Sequence, residues 1–299
     1  MIKILMLIIL SSLASAWATD IDVDSVPRKD GSNIIYYHHV MEDNYDTLLV
    51  IIQGGACIAV PKQRERMKLF EDLDYKADVL WVEKYGLTNE GYDSTCPMAY
   101  IENNSPLQRA SDYVTVFEHL SGQYQKIIVL GAREGAAVLS LLVADEKIPI
   151  NAAIAINSGG GSYPNDMLWQ IETIDHSMAD ETDHPVISRF LQQAKSGDLP
   201  KDVSFHDHGY RWWYEMLNTN MYQTLKNSEK PLLLIQGLAD RQLLIENQED
   251  AYYKLIHRKN VTVYYYEQLN HELANSFDQP DVPNVVKDVQ AWLKMIDKD

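Results

Sequence analysis

The sequence lacks long tracts of proline, glycine or serine, and it contains no internal repeat. These absences exclude collagen, coiled coils and intrinsically disordered chains, and they argue against two domains joined by a flexible linker. No segment after the N-terminal region is long and apolar enough to span a bilayer, which takes ~20 residues. With 46% hydrophobic and 23% charged residues among 299, the composition is that of an ordinary compact globular protein.

Basic residues are scarce. The chain has 26 lysines and arginines against 43 aspartates and glutamates, which gives a formal net charge of -17. Such a charge repels phosphate backbones and anionic membrane surfaces, while it favours solubility. We therefore expect no nucleic-acid partner and no membrane span.

The N-terminal segment has the features of a secretory signal peptide. One early cation, Lys3, precedes the apolar run from Ile4 to Leu10, and mostly small residues follow, ending in Ala14-Ser15-Ala16 and Trp17-Ala18. This order is typical of a signal peptide, and the apolar run is too short for a membrane anchor. The sequence thus predicts a signal peptide over 1–18 and a mature protein, periplasmic or extracellular, that forms a single domain over 19–299.

Cysteine is nearly absent, since Cys57 and Cys96 are the only two in the chain. No CxxC or HxxxH spacing accompanies them, so they give little support for a metal site. In an exported protein two cysteines favour a disulfide over two free thiols, because the compartment is oxidising. We expect the bridge to lie beside the loop that contains Cys57.

Strand-like and helix-like segments alternate along most of the chain, which predicts a mainly parallel sheet with helices on both faces. Several strands are apolar at every position, as expected when both faces of a sheet are covered. The clearest helix begins after Ser105 as its N-cap and stops at Gly122, and the last helix spans Pro283 to Ile296. The predicted strands are Asn33–His38, Thr47–Gln53, Val79–Val82, Lys126–Leu130, Ala152–Ile156, Leu232–Gln236 and Val261–Tyr266.

The segment from 162 to 229 interrupts this alternation and has no strand pattern of its own. It is rich in histidine, aspartate, tryptophan, methionine and tyrosine, and it predicts a helical lid inserted into the domain. Its His206-Asp207-His208 cluster could bind a metal, but adjacent side chains in one loop seldom share an ion without further ligands. We therefore expect a solvated lid loop there and no metal.

Three turns at strand ends carry residues of chemical interest. Gly131-Ala132-Arg133-Glu134-Gly135 joins a strand to an apolar helix and predicts a sharp elbow. Asp240 follows the strand Leu232–Gln236, and His271 follows the strand Val261–Tyr266 shortly afterwards. A glycine-containing turn, Gln53-Gly54-Gly55, comes after the second predicted strand.

In this order the motifs resemble the α/β-hydrolase superfamily, in particular its exported serine esterases and acyl hydrolases. The resemblance extends from Thr47 to the C-terminus. It implies an α/β-hydrolase fold without a cofactor, in which Asp240 is the acid and His271 the base. It also implies that the backbone N–H groups of Gly55 and Glu134 form an oxyanion hole.

One position departs from the superfamily pattern. The elbow motif is G-x-S-x-G, and Arg133 stands where the serine nucleophile belongs. A guanidinium stays protonated and is only a hydrogen-bond donor, so it cannot attack a carbonyl. We expect a catalytically degenerate hydrolase that binds a small-molecule or acidic ligand, or a protein partner, with Arg133 drawn to the Asp240 carboxylate. The alternative is an active esterase, acyl hydrolase or peptidase with a non-standard nucleophile or an activated water.

Each site residue also has an ordinary structural explanation. Arg133 and His271 could be surface residues, Asp240 could be the N-cap of a helix over 241–257, and Glu134 could be an acid in the first turn of a helix. Serines at the end of the next predicted strand are conceivable substitutes for the nucleophile, although the neighbouring glycines favour a packed turn. These serines are Ser158 and Ser162.

Overall fold

The computed structural model describes residues 21–41, 45–63, 73–88, 95–158, 160–161, 163–173, 183–277 and 279–298. The predicted signal peptide lies outside these residues. The strands are β1 (Asp22–Pro27), β2 (Asn33–His39), β3 (Thr47–Ile52), β4 (Asp78–Val82), β5 (Lys126–Ala132), β6 (Ala152–Ile156), β7 (Ser204–Phe205), β8 (His208–Gly209), β9 (Leu232–Gly237) and β10 (Val261–Tyr266). The helices are α1 (Met98–Asn103), α2 (Pro106–His119), α3 (Glu134–Val143), α4 (Tyr163–Thr173), α5 (Asp183–Ser196), α6 (Tyr210–Asn218), α7 (Met221–Leu225), α8 (Ile245–Leu255) and α9 (Val282–Ile296).

Eight strands form one sheet in the order β1-β2-β4-β3-β5-β6-β9-β10. Strand β2 runs antiparallel to both of its neighbours, while β4, β3, β5, β6, β9 and β10 pair in parallel in that order. The prediction of a mostly parallel sheet flanked by helices is therefore confirmed. Parallel pairing brings the carboxyl ends of β3, β5, β6, β9 and β10 to one edge, where the turns of interest lie.

The central strands are buried on both faces. Every residue of β3 is buried, with Leu48 and Val50 packed into the hydrophobic core on one face and Leu49 and Ile51 into the core on the other. Successive side chains of a strand point to opposite faces, so each central strand contributes to both cores. Helix α9 covers the second core with an apolar stripe made of Val285, Val289, Trp292 and Leu293.

The sequence did not predict the edge strand β1. Five of its six residues are exposed, and Val26 alone is buried. Its ladder with β2 over Asp22–Pro27 holds it in place. A strand that is fixed by backbone hydrogen bonds rather than by apolar side chains gives no alternating pattern in sequence.

The segment between β6 and β9 contains helices α4, α5, α6 and α7, as expected for a helical insertion. The expectation that it has no strand was wrong, because β7 and β8 form a short antiparallel hairpin. Its turn residues His206 and Asp207 have φ angles of 50° and 63°. Two successive positive φ angles fit the tight turns of two-residue hairpins. A histidine followed by an aspartate does not predict such a turn from the sequence. Within the described residues, no helix is long and apolar enough to cross a membrane.

Helix α3 packs closely against the sheet at its first turn. A Cβ atom on Gly135 would lie 2.8 Å from the Gln53 carbonyl oxygen and still closer to that of Ile52. A Cβ on Gly131 would overlap the carbonyl of Gly135. Glycine at both positions lets the strand turn into the helix with no space between their backbones.

We predict that Gly135→Ala destabilises the protein by about 1–3 kcal/mol or more, because the added methyl group must push α3 away from β3. Gly54→Ala is the matched control, since no heavy atom lies within 4 Å of the position of its Cβ. Urea unfolding of the two variants measures the difference. Equal stability of both variants would contradict the close approach.

Candidate functional site

Arg133 lies at the turn from β5 into α3, with φ 57° and ψ -123°. Its backbone N–H donates to the carbonyl of Ile156 on the neighbouring strand, at 2.9 Å. For a residue other than glycine this backbone conformation is strained, and it persists only where the surrounding structure imposes it. Such a strand-to-helix turn is the setting of the nucleophile in G-x-S-x-G enzymes.

His271 and Asp240 form a buried pair at the same edge of the sheet. His271 Nδ1 lies 2.7 Å from Asp240 Oδ2, and the Asp240 side chain is fully buried. The second oxygen of Asp240 accepts the backbone N–H of Gln242 at 2.8 Å. A carboxylate at Nδ1 holds the imidazole proton on that nitrogen, so the other ring nitrogen is left as the base. This arrangement can accept a proton from a group in front of His271.

The expected attraction of Arg133 to Asp240 was wrong. The Arg133 guanidinium forms an ion pair with Glu272 and donates to the His271 carbonyl oxygen at 3.3 Å. Asp240 is already engaged by His271 and lies buried behind it. Asn157 Nδ2 donates to the same His271 carbonyl at 3.0 Å, so two side chains hold the histidine loop.

The N-cap explanation of Asp240 does not fit the structure. Helix α8 begins at Ile245, with Leu244 as its N-cap, rather than directly after Asp240. The contact of Asp240 with the Gln242 N–H closes a local turn instead.

The loop over 53–58 after β3 is held from several sides. Gln53 accepts hydrogen bonds from Arg109 Nη2 on its carbonyl and from Lys84 Nζ on its side chain, both at 2.6 Å. The Tyr100 hydroxyl donates to the Gly55 carbonyl at 2.5 Å. The predicted disulfide is present and joins this loop to the segment before α1, with Cα atoms of Cys57 and Cys96 5.9 Å apart.

Buried charges lie beneath this loop. Burial, together with the positive charge of Arg109, lowers the pKa of Lys84 to about 7. Glu83, next to it, accepts the backbone N–H groups of Lys84 at 3.0 Å and Val60 at 2.8 Å. These contacts fix the loop, and the side chains of Glu83 and Lys84 stay out of water.

Glu134 follows Arg133 and turns its side chain inward. Its carboxylate accepts from Arg109 Nη1 and from the indole N–H of Trp212, both at 2.7 Å, and it packs over Gly55. Burial raises the pKa of Glu134, but the Arg109 guanidinium, the nearby His208 and the Trp212 N–H together outweigh this effect and hold the pKa below its usual value. The carboxylate therefore stays ionised and joins the elbow to helix α6.

A cavity of about 320 Å³ opens in front of the elbow. Arg133 and His271 both line it, together with Gly55 and Glu134, whereas Asp240 lies behind His271 outside the lining. Residues of the inserted segment form much of the wall, and they include Tyr163, Asp166, Met167, His206, His208, Trp212, Trp213, Met216 and Met221.

The serines considered as substitute nucleophiles differ in what the structure says of them. Ser158 lines the cavity, but its Oγ lies 2.7 Å from the hydroxyl of the buried Tyr252. Ser162 lies outside the described residues.

His206 and Asp207 of the predicted lid loop are exposed, as expected. His208 is half-buried instead, with its ring stacked on Trp212 at 3.7 Å between centroids and 8° between planes.

Sequence reasoning missed Arg109 and Asp166. Arg109 lies 25 residues from its partner Glu134, in a helix whose pattern gives no sign of a buried cation. Asp166 lines the cavity and accepts the Leu244 N–H at 3.0 Å. Neither residue belongs to a motif, so their roles depend on packing between distant segments.

The comparisons with known proteins concern structure. No protein-family model matches the sequence, and no curated protein matches it. Among solved structures, Est1E from Butyrivibrio proteoclasticus is similar with a TM-score of 0.61 and 13% identity, covering 93% of this chain and 99% of that chain. A lipase in its open form has a TM-score of 0.62 and 13% identity, covering 92% and 99%. The esterase Pf2001 from Pyrococcus furiosus has a TM-score of 0.59 and 14% identity, covering 93% and 91%.

At these identities the likeness shows the fold alone. The chain therefore has the α/β-hydrolase fold, which it shares with esterases and lipases. A fold of this kind hosts many functions, so the chemistry must be argued from the site.

We predict that the Asp166→Asn substitution becomes more favourable to stability as the pH rises. Burial raises the pKa of Asp166 to about 6, above the value of about 3.9 in an unfolded chain. The folded wild type binds this proton more tightly, so it loses stability as the pH rises from about 4 to 6, and the amide has no such loss. The difference in Tm between variant and wild type should grow over this range.

Asp202→Asn provides the control, because Asp202 is an exposed acid of the same inserted segment. It removes one charge from the same segment, away from the cavity wall. If the Tm difference of Asp166→Asn varies with pH no more than that of Asp202→Asn, the carboxyl of Asp166 does not titrate as the structure requires.

Proposed function

We propose that this protein is an exported, catalytically degenerate α/β-hydrolase whose cavity binds a ligand or partner. The observation that carries the proposal is the strained backbone of Arg133 at the turn from β5 into α3. Gly131 and Gly135 make this turn tight, and His271 lines the same cavity. By this account Arg133 occupies the position of the nucleophile, Asp240 and His271 are the relic acid and base, and the backbone N–H groups of Gly55 and Glu134 belong to the former oxyanion hole.

The cation at position 133 removes serine catalysis. Loss of the nucleophile alone costs about a million-fold in turnover in a serine protease. The guanidinium offers no lone pair for attack, and it forms an exposed ion pair with Glu272 at the rim of the cavity. His271 then has no hydroxyl at the elbow to activate.

A binding role uses the parts that remain. The inserted segment, which we propose as a lid over 162–229, provides aromatic and methionine side chains to the cavity wall. An acidic small molecule fits a cavity with an arginine at its rim. The neighbour Est1E has been determined with ferulic acid bound, so a protein of this fold can bind a carboxylic acid.

The second candidate is an active hydrolase with a relocated nucleophile or an activated water. The intact pair of His271 and Asp240 favours it, because such a pair can also deprotonate water. Among the described residues, Ser158 is the serine that lines the cavity. Its contact with Tyr252 directs the Oγ to the core rather than to a base.

Export is proposed from the features of 1–18, and the disulfide is compatible with it. Cell fractionation followed by intact-mass measurement of the protein tests both. Protein outside the cytoplasm, cleaved after Ala16 or Ala18 and without free thiols, is expected, whereas a full-length protein with two thiols confined to the cytoplasm would contradict export.

We predict that the wild type neither reacts with a fluorophosphonate nor hydrolyses p-nitrophenyl acetate above the background of Arg133→Ala. Arg133→Ser should gain both reactions, because it places a hydroxyl at the elbow in front of His271. Fluorophosphonate labelling and initial rates on one preparation of each variant measure this gain.

Arg133→Ala is the matched control, since it removes the cation without supplying a nucleophile. Adding His271→Ala to Arg133→Ser should abolish the gained labelling. Robust wild-type turnover that survives Arg133→Ala and disappears with Ser158→Ala would contradict the proposed function and support the second candidate.

A further inference from the structure

We propose that the cavity selects small carboxylic acids in their ionised form, with the carboxylate bound by Arg133 and the apolar body held by the wall of the inserted segment. This inference rests on the proposed function, in which the cavity binds rather than cleaves. It reverses the preference of an esterase, because the free acid and not its ester becomes the preferred ligand.

The first argument for the proposal is the distribution of charge in the cavity wall. Among the described residues that line the cavity, Arg133 is the only lysine or arginine. The two acids of the wall are engaged elsewhere. Glu134 is held by Arg109 and Trp212, and Asp166 Oδ1 accepts from Leu244 N–H at 3.0 Å and from Asn247 Nδ2 at 3.3 Å.

A ligand can take the place of Glu272 on Arg133. The Arg133 side chain is 36% exposed and that of Glu272 is 58% exposed, so their attraction is weakened by water and contributes little. A ligand carboxylate that approaches from the cavity can form a bidentate pair with the same guanidinium. The chain carries a formal net charge of -17, so an anion site requires such a dedicated cation.

The loop beside Arg133 adds a rigid wall. Gly55 and Ala56 line the cavity. Their loop is fixed by the Tyr100 hydroxyl and by the disulfide between Cys57 and Cys96. A wall that is already ordered loses little freedom when a ligand binds, which favours affinity.

The remaining wall suits an apolar body of modest size. Tyr163 packs edge-on against Trp212, and Met216 and Met221 complete an apolar surface that adapts to different shapes. A volume of about 320 Å³ is at the small end of ligand cavities. One compact acid with an aryl or short alkyl group therefore fits better than a long chain.

Matched neutral and charged ligands test the proposal. The probes are 3-phenylpropionate, its methyl ester and its amide, with octanoate as an alkyl acid of similar size. Titration calorimetry and the fluorescence of the cavity tryptophans Trp212 and Trp213 report binding. We expect 3-phenylpropionate to bind the wild type about tenfold or more tightly than its ester or amide, since hydrogen bonds to a charged partner are the stronger ones.

Two substitutions should change the affinity in opposite directions. Arg133→Gln should weaken binding of the acid about tenfold or more and leave the ester unchanged. Glu272→Gln should strengthen binding of the acid several-fold, because it removes the competitor for the guanidinium. Lys294→Gln is the control for net charge. Lys294 lies on α9, forms an exposed ion pair with Asp74 and does not line the cavity.

The outcomes separate this inference from the function on which it rests. If neither acid binds, or if acid and ester bind equally, or if Arg133→Gln and Lys294→Gln have the same effect, the inference is wrong. If one of these results is found and Arg133→Ser still gains fluorophosphonate labelling, the inference is wrong and the proposed function stands. Wild-type turnover that depends on Ser158 would instead overturn the proposed function itself.

Discussion

The close packing of α3 against β3 and β5 determines where the chemistry of this chain lies. Gly131 and Gly135 allow the backbones to touch, and Arg133, midway between them, turns with a positive φ. That turn presents residue 133 at the carboxyl edge of the sheet, beside the loops that carry Asp240 and His271. In the function proposed above, the geometry that positions a nucleophile in G-x-S-x-G enzymes positions a cation here.

Arg109 connects the elbow to its surroundings. Its guanidinium, only 2% exposed, contacts the Glu134 carboxylate and the Gln53 carbonyl. Through Trp212, Glu134 also fixes helix α6 of the inserted segment. A buried charge without a partner is costly, so loss of Arg109 would disturb the elbow, the loop after β3 and the lid together. Arg133 does not take part in this network, and its ion-pair partner is Glu272.

The sequence was sufficient for seven of the eight strands of the main sheet and for the elbow after β5, because buried strands are continuously apolar and a tight turn requires glycine. Strand β1 and the hairpin β7–β8 escaped prediction, since backbone pairing rather than side-chain pattern holds them. The partner of Arg133 was also misjudged. Its elbow position pointed to Asp240, but choosing between Asp240 and Glu272 requires knowing which carboxylate is buried behind His271. Arg109 and Asp166 show the same limit, because their contacts join segments that are distant along the chain.

The central claim is that position 133 is the nucleophile position of an α/β-hydrolase. Peptide mapping of Arg133→Ser after reaction with a fluorophosphonate tests it most directly, because the modified residue is identified by mass. The account predicts a single adduct at position 133 that is lost when His271 is replaced by alanine. An adduct on Ser158, or at any position away from the elbow, would contradict it.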